Sequence, residues 1–101
     1  MQLIDETIEN KDSRTTLTRV YHHGVEIVRV QVERDGYKPQ SYARAAVLAR
    51  DRSAWTVLAV TPADGWYADC QGPVEVRLPK RVTRLAAVAD ELAKRAELIL
   101  G

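Results

Sequence analysis

The sequence predicts an α+β fold, a four- or five-stranded, mostly antiparallel meander packed against one long C-terminal helix. The helix is predicted because Val82 to Gly101 repeats apolar residues at steps of three and four, which places them in one stripe. The strands are predicted because earlier segments alternate apolar and polar residues between turn formers. No second helix of comparable length precedes Val82, so the stripe must pack on the strands. The stripe consists of Val82, Leu85, Ala89, Leu92, Ala96 and Ile99.

The length and composition are those of one cytoplasmic domain. The 101 residues suffice for a single core. A lone cysteine, Cys70, excludes an internal disulfide and favours a reducing compartment. No apolar run reaches the length of a membrane span, and the acidic N-terminus is unlike a secretory signal. Eleven arginines against four lysines and the absence of phenylalanine hint at a GC-rich bacterial or phage genome.

The N-terminal third holds two candidate strands. Residues 2–10 mix apolar residues with acids and are compatible with an edge strand, a helical turn, or, within residues 1–13, a loosely docked acidic arm. Residues 15–22 are rich in β-branched side chains and predict a strand that Gly24 ends. No motif chooses among the three alternatives for residues 2–10.

Residues 25–34 predict the clearest strand. Val28, Val30 and Val32 fall on one face, which we expect to lie beneath the helix. Residues 41–50 are ambiguous, because their alanines favour a helix by propensity while their position between two strands favours a strand. We interpret them as a strand.

Two more segments complete the predicted sheet. Residues 54–61 are apolar on both faces and predict a strand that is covered on both sides. Residues 74–78 alternate as a short strand, and Pro79 stops it and opens the helix. On the helix, Asp90 with Lys94 and Glu91 with Arg95 stand four residues apart in the favourable order. Positive charge crowds the helix start and marks a possible anion site, formed by Lys80, Arg81 and Arg84.

Catalytic and metal sites are weakly indicated. The neighbouring residues His22 and His23 point to opposite faces of a strand, so they cannot both bind one metal ion. Cys70 with Asp64 or Asp69 lacks any local signature of a catalytic nucleophile. The sequence therefore predicts no metal, no cofactor and no enzymatic activity.

Arginines and tyrosines on the strands suggest a nucleic-acid-binding face. We expect the face opposite the valines to carry basic side chains that neutralise phosphates and rings on which bases stack. Acids interrupt this surface, and the sequence pI near 7.9 is low for a nucleic-acid binder. The candidate residues are Arg19, Tyr21, Arg29, Tyr42 and Arg44.

An excess of apolar residues favours a protein interface instead. Trp55 and Val57 fall opposite the inward face of their strand, and Leu17 and Ile27 are also expected to fall away from the valines. A helix covers only one face of a sheet, so a second copy or the loop at 62–73 must cover these residues. The sequence thus predicts a small non-catalytic protein-binding or assembly module, forming a homodimer through Trp55 and Val57 or binding another protein. A single-stranded nucleic-acid-binding domain is the alternative, and a cysteine-dependent enzyme is third.

Overall fold

The computed structural model confirms the α+β class. It describes residues 1–11, 14–35, 41–48, 55–58, 60 and 78–101. Five strands precede one helix, and the strands pair in chain order, each antiparallel to its neighbours. The elements are β1 (Gln2–Lys11), β2 (Arg14–His23), β3 (Glu26–Asp35), β4 (Ser41–Leu48), β5 (Trp55–Leu58) and α1 (Leu78–Leu100).

A two-residue turn at Gly24 and Val25 sets the register between β2 and β3. Gly24 has a φ of 61°, a conformation that glycine adopts without steric cost. His23 therefore pairs with Glu26, and each step back along β2 matches one step forward along β3. Because paired residues lie on the same face of a sheet, this turn decides which side of β2 joins the valines of β3.

The core lies between α1 and one face of β2, β3 and β4. Val28, Val30 and Val32 are fully buried there, as the sequence predicts. Leu17 was expected on the other face, and that expectation is wrong, because Leu17 pairs with Val32 and is buried under α1. The register after the two-residue turn is the physical reason.

Helix α1 begins at Leu78, four residues before the predicted start. Leu78 therefore belongs to the helix rather than to the strand predicted at residues 74–78, and the rest of that strand lies outside the described residues. Four stripe residues have no exposed surface, and two further residues widen the stripe, whereas Ile99 is 56% exposed and lies beyond the buried part. The fully buried four are Leu85, Ala89, Leu92 and Ala96, and the two additions are Val88 and Ala93.

Of the two ion pairs predicted within α1, the structure shows the one between Glu91 and Arg95. Arg95 Nη2 lies 2.6 Å from Glu91 Oε1, four residues earlier. Asp90 instead contacts Arg19 of β2, across the interface between helix and sheet. At the other end of the fold, the amino group of Met1 lies 2.6 Å from Glu97 Oε2. This hydrogen bond lowers the pKa of the Glu97 carboxyl.

The remaining strand predictions have mixed outcomes. Residues 2–10 form a strand, and the ambiguous segment at 41–50 is a strand as far as Leu48. The prediction that residues 54–61 are covered on both sides is wrong for the part described as β5, because Val57 is 71% exposed at the edge of the sheet.

In the described part of the chain, no helix is long and apolar enough to cross a membrane.

Candidate functional site

The sheet has a second face, opposite α1, which we call the open face. No described element lies across it. The pairing register assigns two neighbouring rows of residues to this face at its end nearest the β2–β3 turn. One row runs His22, Ile27, Leu48 and Trp55, and the next runs Val20, Arg29, Ala46 and Val57.

These two rows form an apolar patch, the apolar corner, whose residues are Val20, Ile27, Ala46, Leu48, Trp55 and Val57. Trp55 is 39% exposed and Val57 is 71% exposed, because β5 is the last strand of the described sheet. Val20, Ile27 and Leu48 are half-buried by their neighbours, and Ala46 is buried. Contiguous exposed apolar side chains on a small protein are typical of a contact surface.

Arg29 places a positive charge inside the apolar corner. Its guanidinium carbon lies 4.6 Å from the centre of the Trp55 ring, a cation–π contact. The contact restricts the side-chain motion of Arg29 on β3 and of Trp55 on β5. A Trp held in this way loses less conformational entropy when a partner covers it.

Polar side chains occupy the other half of the open face and bond to one another across strands. Gln31 donates from Nε2 to Thr18 Oγ1 at 3.3 Å, and Arg44 donates from Nη2 to Gln31 Oε1 at 3.0 Å. Thr16 donates to Glu33 Oε2 at 3.2 Å, and Arg14 Nε lies 3.3 Å from Glu33 Oε1. This half is a hydrogen-bonded polar rim beside the apolar corner.

The predicted nucleic-acid-binding face is divided between the two sides of the sheet. Arg29 and Arg44 lie on the open face, and the register gives Tyr42, paired with Glu33, a place on the same face. Arg19 and Tyr21 were expected beside them, and that expectation is wrong. They pair with Val30 and Val28, so they lie on the side of α1.

Arg19 bridges elements instead of facing solvent. Its Nε lies 2.8 Å from Glu6 Oε2 of β1, and its Nη1 contacts Asp90 Oδ1 of α1. Burial alone lowers the pKa of the Arg19 guanidinium, but hydrogen bonds with Tyr21, Asp90 and Glu6 outweigh burial and raise it above its ordinary value. Arg19 is therefore charged at every accessible pH.

The other predicted sites have separate outcomes. His22 pairs with Ile27 and His23 with Glu26, so the two imidazoles are on opposite faces as expected. Among the described residues, no three His, Cys, Asp or Glu side chains are grouped so as to hold a metal ion. Cys70 and the aspartates considered with it lie outside the described residues. The side chains of the possible anion site, Lys80, Arg81 and Arg84, also lie outside them, although their backbone belongs to the first turns of α1.

Comparisons of the chain with protein-family models, curated proteins and solved structures found no significant match. A function for this chain is therefore argued from its own surfaces.

Proposed function

We propose that the protein is a small non-catalytic interaction module that forms a homodimer through the apolar corner of the open face. The observation that carries the proposal is the exposure of Trp55 and Val57 on a sheet face that no described element covers. Tryptophan is enriched among the residues that dominate binding energies, which lie where the surrounding contacts exclude water.

A second copy suits this surface because a two-fold axis at the apolar corner places apolar residues on apolar residues. The polar half of each open face then stays outside the contact, where its cross-strand hydrogen bonds are kept. Two-fold dimers are the commonest oligomers, and sheets pack face to face with aligned strands.

The energy available from the apolar corner indicates a weak dimer. Fully burying a large apolar side chain is worth about 1.5–3 kcal/mol, and Trp55 and Val57 are already partly buried. Two copies therefore gain roughly 3–6 kcal/mol from these side chains, with smaller additions from Ile27 and Leu48. A gain of this size corresponds at best to a Kd of tens of micromolar, and because association itself is costly we expect a Kd of about a millimolar or weaker.

The test is sedimentation equilibrium from micromolar to millimolar protein. We expect the apparent mass to rise from monomer to dimer. Val57→Asp puts a carboxylate in the apolar corner and should abolish the dimer, while circular dichroism confirms that the domain is folded.

The matched control is Leu98→Asp, because Leu98 is 83% exposed on α1, on the other side of the sheet. We expect this variant to dimerise like the unchanged protein. A monomer at every concentration would contradict the proposal, and so would an equal loss of association in both variants.

Binding of single-stranded nucleic acid is the second candidate. Trp55 offers a ring for base stacking, and Arg29 and Arg44 lie on the same face. It ranks below dimerisation because Arg19 and Tyr21 do not join this surface. Anisotropy of a labelled oligonucleotide decides between them: salt-sensitive binding that Arg29→Ala and Arg44→Ala weaken would favour the second candidate.

A further inference from the structure

Strand β1 presents a free edge. In the described sheet it pairs only with β2, so one row of its backbone N–H and C=O groups points away from the sheet. All ten of its residues are exposed. An edge of this kind is a template on which another extended chain can add a strand.

The edge of β1 is protected by charged side chains and not by breaks in its backbone pairing. The strand contains neither proline nor glycine, and its one register irregularity lies between Leu3 and Asp5. From Asp5 to Lys11 the pairing with β2 is regular, a stretch longer than the commonest strand length of about 5–6 residues. A full-length partner strand therefore meets no interruption there.

The two sides of β1 differ chemically. Ile8 pairs with Leu17 and lies on the side of α1, but α1 packs on β2, β3 and β4 and leaves Ile8 exposed. Asp5 and Glu9 pair with Val20 and Thr16 and therefore lie on the open-face side. Glu6 also lies on the side of α1, but Arg19 of β2 binds its carboxylate there. A strand added to this edge thus meets Ile8 on the side of α1 and the carboxylates of Asp5 and Glu9 on the other.

We infer that the free edge of β1 binds an extended peptide segment in which apolar residues alternate with lysine or arginine. The alternation follows from the period of two in a strand: apolar side chains meet Ile8 and basic side chains meet Asp5 and Glu9. A second copy of β1 fits poorly, because each β1 carries three acids against one lysine and the two strands would repel.

This surface is separate from the apolar corner, because β1 and β5 stand at opposite edges of the described sheet. The inference goes beyond the proposed homodimer, and the two can fail independently. A dimer that assembles through Val57 leaves both β1 edges available.

The experiment uses fluorescence anisotropy with a labelled peptide of the length of β1 that alternates valine with lysine. We expect binding, and we expect amide shifts in ¹⁵N NMR spectra to map to residues 5–11. A peptide alternating valine with glutamate should not bind. The lysine peptide with N-methyl groups on every backbone nitrogen should also fail, because neither of its edges can donate the ladder hydrogen bonds.

A matched pair of variants tests the charge requirement. Glu9→Gln removes a carboxylate from β1, and Glu91→Gln makes the same change on α1. We expect the first to weaken binding about two- to fivefold at low salt and the second to leave it unchanged. Equal binding of the lysine, glutamate and N-methylated peptides would overturn the inference, as would shifts that map to the apolar corner instead of β1.

Discussion

The Arg19 side chain joins three elements, because from β2 its guanidinium reaches Glu6 of β1 and Asp90 of α1. Its side chain is 13% exposed, whereas Glu6 and Asp90 are more open to water. The aliphatic part of the arginine packs between strand and helix while the charged end reaches the carboxylates. Arg19 therefore acts in the stability of the fold rather than on a binding face.

We expect Arg19→Met to lower the free energy of unfolding by about 1–2 kcal/mol. Two charge-assisted hydrogen bonds are lost, but solvent already weakens both because the carboxylates are partly exposed. The control is Arg44→Met, because Arg44 is exposed and its guanidinium donates to the neutral Gln31. Urea unfolding followed by circular dichroism measures both, and a cost for Arg44→Met as large as that for Arg19→Met would contradict this role.

The position of Arg19 could have been derived from the sequence. Gly24 predicts a turn, and a two-residue turn at Gly24 and Val25 puts Arg19 opposite Val30. The valine pattern of β3 alone does not give this result, because a one-residue change in the turn moves every β2 side chain to the other face. Turn length was therefore the missing signal.

At the scale of elements, residues of α1 that are close in sequence differ sharply in burial. Leu92 has no exposed surface under the stripe, whereas Leu98, less than two turns later, is 83% exposed. Leu98 lies on the opposite face of the helix, because six residues turn it by about 240° from Leu92, whereas Leu100 still packs against the core. Identical substitutions at the two positions therefore separate packing from helix propensity.

We expect Leu92→Ala to cost about 2–5 kcal/mol of unfolding free energy, because it leaves a cavity between α1 and the sheet. Leu98→Ala should change stability by less than about 0.5 kcal/mol, since it removes no buried contact. Chemical denaturation with matched m-values checks both. Equal losses of unfolding free energy for Leu92→Ala and Leu98→Ala would contradict the burial of Leu92 between α1 and the sheet.

Elements with a strong period were predictable, and elements at the margins were not. The stripe of α1 and the valines of β3 could be predicted from the sequence, because a long regular period of apolar residues fits few other structures. Strand β4 was ambiguous because its alanines favour a helix, yet Ala45 is fully buried in the sheet, where tertiary packing overrides propensity. For β5 the apolar composition did not reveal a place at the edge, because strand order is a property of the whole sheet.

At the scale of the whole molecule, α1 covers one face of the sheet, and no described element covers the other. If the apolar corner is the dimer interface, stability must depend on protein concentration, because association stabilises only the folded chain. We expect Tm to rise with concentration above the Kd, by about 4–8 °C for each 1 kcal/mol of coupling. Differential scanning calorimetry of the unchanged protein and of Val57→Asp measures this, and a rise of equal size in both would count against the interface.

The candidate surfaces were partly predictable at this scale. Trp55 and Val57 were expected to need a cover that one helix cannot supply to both sheet faces, and both are exposed in the described structure. An edge strand was one of three alternatives for residues 2–10, and only the pairing with β2 selects it. A short segment of mixed composition takes its structure from its neighbours.

The chain order of the strands has a consequence for synthesis on the ribosome. Each strand pairs with the one made just before it, so the sheet can assemble without waiting for distant segments. The helix that shields Val28, Val30 and Val32 is made after all five strands. Forty-two residues separate the end of β5 at Leu58 from the end of α1 at Leu100, which at about 5–20 residues per second corresponds to about 2–8 s. During these seconds the nascent sheet exposes its most apolar surface, and this is the period in which a chaperone would bind the chain.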